Sequence, residues 1–212
     1  MLKSSLLEDP ALLEIGVDEV GRGSLLGRVY TGAVILPPPS SDFDFGKMKD
    51  SKKFHSSKKI QETAQYIREN AVAWTVTYRD ETRIDEINIL QATQESMHES
   101  IQEILTLMPQ CGNFHLLIDG NYFKPFLNPP IQHTCLEGGD NAYCSIAAAS
   151  ILAKVARDQY IMDLCKEHPD LQEKYNLESN KGYGTKKHRE GILTHGITKW
   201  HRKTFGCCKE YG

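Results

Sequence analysis

Long apolar runs are missing from this 212-residue sequence. None approaches the roughly 18 residues that a membrane-spanning helix needs, which leaves no membrane partner to expect. The opening MLKSSLLEDP carries one lysine and a very short apolar patch, without the longer apolar core and cleavage pattern of a secretory signal. No C-x-x-C pair occurs among Cys111, Cys135, Cys144, Cys165, Cys207 and Cys208, which argues against a structural zinc site. Without an export signal these read as reduced thiols of a cytoplasmic protein. The vicinal pair Cys207–Cys208 is compatible with a redox device or with a reduced segment of no special role. A large charge excess is missing too: the formal net charge is −3, which does not advertise a nucleic-acid binder.

That average hides a gradient. Lys181, Lys186, Lys187, Arg189, Lys199, Arg202 and Lys203 face a single acid, Glu190, over residues 181–203, with Tyr183, His188, Trp200 and His201 among them. Such a stretch can track a phosphate backbone or form a solvated surface. Forty per cent apolar residues suffice for one sizeable domain.

LLEIGVDEV and VYTGAVIL read as two strands joined by a glycine turn. SSKKIQETAQYIREN has helical spacing, with Ser56 or Ser57 as N-cap. AVAWTVTY alternates as a strand with Val72, Trp74, Val76 and Tyr78 on one face. Residues 84–108 read as one long amphipathic helix, with Ile87, Leu90, Ile101, Ile104 and Leu105 on its apolar side. FHLLID and IQHTC read as strands, and Asp140 suits the N-cap of a helix through AYCSIAAASILAKVARDQYIMDLCKEH that Pro169 ends. The order suggests a mixed sheet flanked by helices.

The chemistry lies in the acids. Neighbouring side chains of a regular strand point to opposite faces, so Asp18 and Glu19 serve one site only if the strand ends or bulges there, which Gly21 and Gly23 permit. Asp119 ends FHLLID, and Asp158 lies in the last long helix, four residues after Lys154, with which it shares a face. Taken singly, each is open to a plain reading as turn decoration or ion pair. Together they make an oxygen-rich pocket suited to hard divalent cations, Mg²⁺ or Mn²⁺. Two such ions about 4 Å apart can activate a water and stabilise the leaving oxygen of an in-line displacement. The glycine turn G-R-G-S-L-L-G departs from the dinucleotide fingerprint and is followed by a strand rather than a helix, which disfavours an oxidoreductase.

GVDEVGRG at 16–23, DSKK at 50–53, IDEINILQAT at 84–93, LLIDGN at 116–121, SIAAASILAKVARD at 145–158, KGYGT at 181–185 and HR-x-x-F at 201–205 follow one another in the order of a known family. The chain resembles bacterial ribonuclease HII, a type 2 ribonuclease H, over roughly residues 13–206. The resemblance implies an α/β, RNase H-like fold: a mixed five-stranded sheet flanked by helices, with a helical C-terminal extension. The catalytic domain would span 1–168 and the extension 169–212. It implies a monomeric endonuclease that hydrolyses the RNA strand of RNA–DNA hybrids and cuts 5′ to single ribonucleotides in duplex DNA, leaving 3′-hydroxyl and 5′-phosphate. Asp18, Glu19, Asp119 and Asp158 would hold two Mg²⁺ or Mn²⁺ ions. Gly21, Arg22 and Gly23 would approach the ribose 2′-hydroxyl, Tyr183 would pack on the next deoxyribose, and Lys52, Lys53, Lys186 and His188 would contact phosphates. Asp163 is a lesser candidate for a water-mediated metal contact.

Three departures stand out. Ser24 and Arg28 replace frequent prolines, which puts the rigidity of the loop in question. Glu137-Gly138-Gly139-Asp140 lacks the lysine of a frequent Lys-Gly-Asp sequence, removing one phosphate contact. With few residues after Phe205 and no obvious extended tail, docking to a replication clamp is in doubt. A non-catalytic nucleic-acid-binding protein of the same fold is the alternative, against which the four acids weigh.

Overall fold

A computed structural model describes residues 2–7, 9, 11–110 and 112–211, so Cys111 lies outside it. Its elements are β1 (Leu13–Val20), β2 (Val29–Ile35), α1 (Ser57–Asn70), β3 (Ala73–Arg79), α2 (Glu81–Leu107), β4 (Phe114–Asp119), β5 (Gln132–Leu136), α3 (Cys144–Glu167), α4 (Pro169–Tyr175), α5 (Leu177–Asn180) and α6 (Lys186–His195). The five strands form one sheet in the order β3-β2-β1-β4-β5. β1 runs antiparallel to β2 and parallel to β4, and β4 runs parallel to β5. The mixed sheet flanked by helices is therefore as the sequence suggests.

Strand alternation sends the two faces of the sheet into different cores. Ile15, Val17, Ala33, Leu116 and Ile118 pack against Met97, Ile101 and Ile104 of α2. On the other face Val34 meets Ala64 and Ile67 of α1 and Ala147, Ala148 and Ile151 of α3. α3 lies unusually close to the sheet. A Cβ on Gly16 would stand 2.2 Å from the Ser145 carbonyl carbon, and one on Gly32 would stand 2.5 Å from the Ala149 oxygen.

Polarity misleads in β3. Its more deeply buried face carries Ala73, Thr75 and Thr77; on the other face Trp74 and Val76 pack partly against the α1–α3 core while Val72 and Tyr78 are exposed. The threonines are accommodated because their hydroxyls are bonded: Thr75 Oγ1 donates to Ser100 O at 2.9 Å and Thr77 Oγ1 to Ser96 O at 2.8 Å.

α2 is not one regular helix. Asn88 breaks it with φ 67° and ψ 163°, and its Oδ1 accepts Gln91 N at 3.1 Å to cap the second segment. The break resets the helical phase, so Leu90, expected on the apolar side, is exposed. At α1, Ser56 takes the N-cap position without a side-chain cap bond. α3 begins at Cys144, not at Asp140, which sits in a short turn over Gly139–Asn141.

α3 ends before Pro169. Beyond it, Leu171, Tyr175, Leu177, Ile192 and Cys208 close a third core over Leu25, Leu26, Ile161 and Leu164. Asp85 fixes this segment to α2, accepting Lys203 N at 2.8 Å, Thr204 N at 3.0 Å and Thr204 Oγ1 at 2.6 Å. Cys135, Cys144, Cys165, Cys207 and Cys208 are free thiols. No helix among the described residues is long and apolar enough to cross a membrane.

Candidate active site

β1, β4 and β5 are parallel, so their carboxyl ends lie at one edge of the sheet. Such an edge is where open α/β sheets place ligands. Asp18 and Glu19 stand near the end of β1, Asp119 ends β4, and Asp140 follows β5 by one turn. β1 neither ends nor bulges at the acidic pair: Asp18 pairs with Gly32 and Glu19 with Thr31 in regular register. Their side chains therefore leave opposite faces, and the site wraps the rim of the sheet.

Asp18 is 4 % exposed, and its Oδ1 accepts Glu19 N at 2.7 Å. Burial pushes its carboxyl well above the ordinary range, and the charges of Glu19 and Asp119 push it further, while the Ser150 hydroxyl opposes them. Glu19 is also raised, first by burial; Arg22, with Nη1 3.3 Å from Oε1, counters this, and Asp119 adds to it. Asp119 Oδ1 accepts Gly139 N at 2.7 Å, which draws the 139–141 turn against β4.

That turn delivers an acid the sequence reading missed. Asp140 is buried, and burial raises its carboxyl; Lys52 pulls the other way, and Asp119 raises it again. Lys52 Nζ lies 3.5 Å from Asp140 Oδ2. The DSKK segment is held in place by Asp50, which accepts Lys52 N at 2.8 Å and Asn141 Nδ2 at 3.1 Å, and by a 3.0 Å Ser51–Ser150 hydroxyl bond. Lys53 Nζ bonds Asn141 Oδ1. Lys52 thus stands over the acids with its side chain 81 % exposed.

Asp158 does not join them. Its carboxylate is held by Lys154 Nζ at 2.5 and 2.6 Å, and it faces Ile60, Gln61 and Met162 on the α1 side. Ser150 is the α3 residue that meets Asp18, and eight further residues carry the helix about 12 Å beyond it. Asp163 lies farther along, exposed and bonded to Gln159 and Lys166. No local signal marked Asp140: Glu137 follows β5 more closely, and only the parallel pairing of β4 with β5 brings Asp140 to the rim.

His188 cannot touch a phosphate, because it is fully buried. Its Nδ1 lies 3.0 Å from Tyr183 O and its Nε2 3.2 Å from His201 Nε2. Tyr183 itself is 36 % exposed and pairs through its backbone with Ser24 of the glycine turn. Lys186 is exposed at the start of α6, with Glu190 3.8 Å away. Arg22 and Gly23 are exposed at the tip of the turn.

Among the described residues no three His, Cys, Asp or Glu side chains close into a coordination shell. The donor set nonetheless suits a hard cation. Asp18, Glu19 and Asp140 are all raised by burial and by neighbouring acids, a cost that a positive ion between them would relieve.

A family model described as Ribonuclease HII matches residues 15–208. A ribonuclease HII of Parabacteroides distasonis is 48 % identical over 193 residues, covering 91 % of this chain and 89 % of that one. Among solved structures, a ribonuclease H2 from Pyrococcus horikoshii superposes with a TM-score of 0.72 at 20 % identity, covering 94 % of this chain and 96 % of that one. Bst-RNase HIII in complex with Mn²⁺ gives a TM-score of 0.64 at 17 % identity, covering 87 % and 70 %.

Proposed function

Because the chain belongs to the ribonuclease HII family and is thus a hydrolase of the ribonuclease H type, we propose that it nicks ribonucleotide-containing duplexes 5′ to the ribonucleotide. RNA–DNA hybrids and single ribonucleotides in duplex DNA are its substrates, and the products carry 3′-hydroxyl and 5′-phosphate ends. The observation that carries this reading is the gathering of Asp18, Glu19, Asp119 and Asp140 at the carboxyl ends of three parallel strands, beside the exposed Arg22–Gly23 turn.

Asp18, Glu19, Asp119 and Asp140 are the residues that would hold Mg²⁺ or Mn²⁺, and Mn²⁺ is bound by the structurally similar RNase HIII. Bound there, divalent ions supply an activated water and stabilise the leaving oxygen. The protein supplies the rest. Lys52 presents an ammonium above the acids, where it draws a phosphodiester into an otherwise repulsive pocket. Ser150 and the Glu19 amide fix the Asp18 carboxylate, and the Gly139 amide fixes Asp119. Gly21-Arg22-Gly23 lies against the sugar that bears the 2′-hydroxyl, the group that separates RNA from DNA. Tyr183, tied to that turn through Ser24, packs on the following deoxyribose. Lys53 and Lys186 add phosphate contacts, which position a duplex without reading its sequence.

The test is a DNA duplex with one ribonucleotide, offered with Mg²⁺ or Mn²⁺ and resolved to the nucleotide. A single nick on the 5′ side of the ribonucleotide is expected. No incision with either metal would overturn the reading.

A further inference from the structure

Two arginines lie where charged side chains are rarely found. Arg157 of α3 and Arg202 are both 0 % exposed. Asp158 lends Arg157 some opposite charge and Glu81 and Asp85 lend Arg202 some, but burying a cation without a bonded counter-ion is still costly, so packing alone is a poor account of them. Among the described residues none of their hydrogen bonds goes to a carboxylate. Arg157 donates from Nε to Arg28 O at 3.1 Å, from Nη1 to Lys181 O at 2.7 Å, and from Nη2 to Ser24 Oγ at 2.7 Å and Leu26 O at 3.2 Å. Arg202 donates from Nε to Gly27 O at 2.8 Å and from Nη1 to Arg22 O at 2.9 Å, and its Nη2 has no partner among the described residues. All but one of these acceptors belong to the loop between β1 and β2; the other is Lys181 O, just before Tyr183.

The bonds fix which way the peptides of that loop face. Ser24 Oγ, held by Arg157, donates to Gly21 O at 2.9 Å, while Arg202 holds Arg22 O. Both carbonyls point inward. In a trans peptide the next N–H points the opposite way, so the Arg22 and Gly23 amides face outward. Neither donates to any acceptor among the described residues.

The glycines corroborate this. Gly21 has φ +92°, and a Cβ there would stand 2.2 Å from Arg157 Nε, so the arginine beneath requires it. A Cβ on Gly23 would meet nothing within 4 Å, and its φ is ordinary. Nothing among the described residues needs glycine at 23, and the space it leaves is open toward a ligand.

We propose that Arg157 and Arg202 are positioning residues for ribose discrimination, Arg157 holding the Gly21 carbonyl through Ser24 and Arg202 holding the Arg22 carbonyl directly, so that the Arg22 and Gly23 amides meet the substrate 2′-hydroxyl. The inference rests on the ribonuclease reading above and adds what aims its recognition turn.

Wild type, Arg202→Lys, Arg157→Lys and Gly23→Ala are compared on an all-DNA duplex and on the same duplex with one ribonucleotide. Binding is read by fluorescence anisotropy with Ca²⁺ in place of Mg²⁺, alongside thermal unfolding and incision with Mg²⁺. Wild type is expected to prefer the ribonucleotide duplex about tenfold, the worth of one or two hydrogen bonds. Arg202→Lys and Arg157→Lys, whose ammonium lacks the planar fork, lose that preference while binding the all-DNA duplex as before. Gly23→Ala unfolds at the wild-type temperature and loses it too. A preference that survives in a folded arginine variant, an equal loss on both duplexes, or no preference in wild type overturns the proposal. Should the lysine variants fail to fold, Gly23→Ala decides, since an intact preference there has the same force. Failure of wild type to nick the ribonucleotide duplex overturns the functional reading instead.

Discussion

Asp140 and Asp158 flank the first half of α3, yet only Asp140 lies against the acids of β1 and β4. Asp140→Asn is expected to lower turnover by roughly a hundredfold or more, as loss of a metal ligand does, whereas Asp158→Asn stays within about threefold of wild type. Steady-state incision of the single-ribonucleotide duplex checks both. A second residue-scale consequence lies under Tyr183. Thr198 N donates to His201 Nδ1 at 2.9 Å, which leaves His201 Nε2 to donate to His188 Nε2 and His188 Nδ1 to donate to Tyr183 O. The chain works only with both imidazoles neutral. Burial lowers His188, and burial together with His188 lowers His201 to about 3. An unfolded histidine titrates near 6.5, so the unfolded state binds more protons below that pH. The stability these groups contribute is present above about pH 6.5 and is lost as pH falls toward 3. Melting temperatures from pH 8 to pH 4 (roughly the span around these titrations) are expected to show the gap between wild type and His201→Asn narrowing on acidification.

At the scale of elements, the decisive contact is α3 against β1 and β2. Gly16→Ala is expected to cost about 3 kcal/mol or more, because its Cβ would overlap the helix backbone rather than a movable side chain. Asp85→Ala, which frees the 203–204 segment from α2, is expected to cost about 1–3 kcal/mol by urea unfolding. Ser24 and Arg28 belong to this scale as well. Their departure from proline does not loosen the turn: Ser24 is bonded from Arg157, and Arg28 lies between the rings of Tyr78 and Tyr160 at 4.1 and 4.4 Å.

On the whole molecule, a net charge of −3 coexists with a basic stretch, Lys186, Lys187 and Arg189, at the start of α6 just after Tyr183, which pairs with Ser24 of the glycine turn. Lys187→Ala is expected to flatten the dependence of log affinity on log salt by about one phosphate contact while leaving the ribose preference intact. Titrations of binding across salt concentrations measure the slope. Local patterns along the chain carry the apolar runs of β1, β2 and β4, the alternation of β3, the helical spacing of α1, and the acids at the ends of β1 and β4. Those signals are local, because side-chain periodicity follows from backbone geometry. The remainder came from contacts between segments distant in sequence. The parallel pairing of β1, β4 and β5 brought Asp140 to the rim, and helical rise carried Asp158 past it. Arg202 looked like part of a basic surface until its loop turned it inward beneath Arg22. Whether a charged side chain faces solvent, a metal or a backbone carbonyl depends on which distant segment packs over it, and no spacing within one segment contains that.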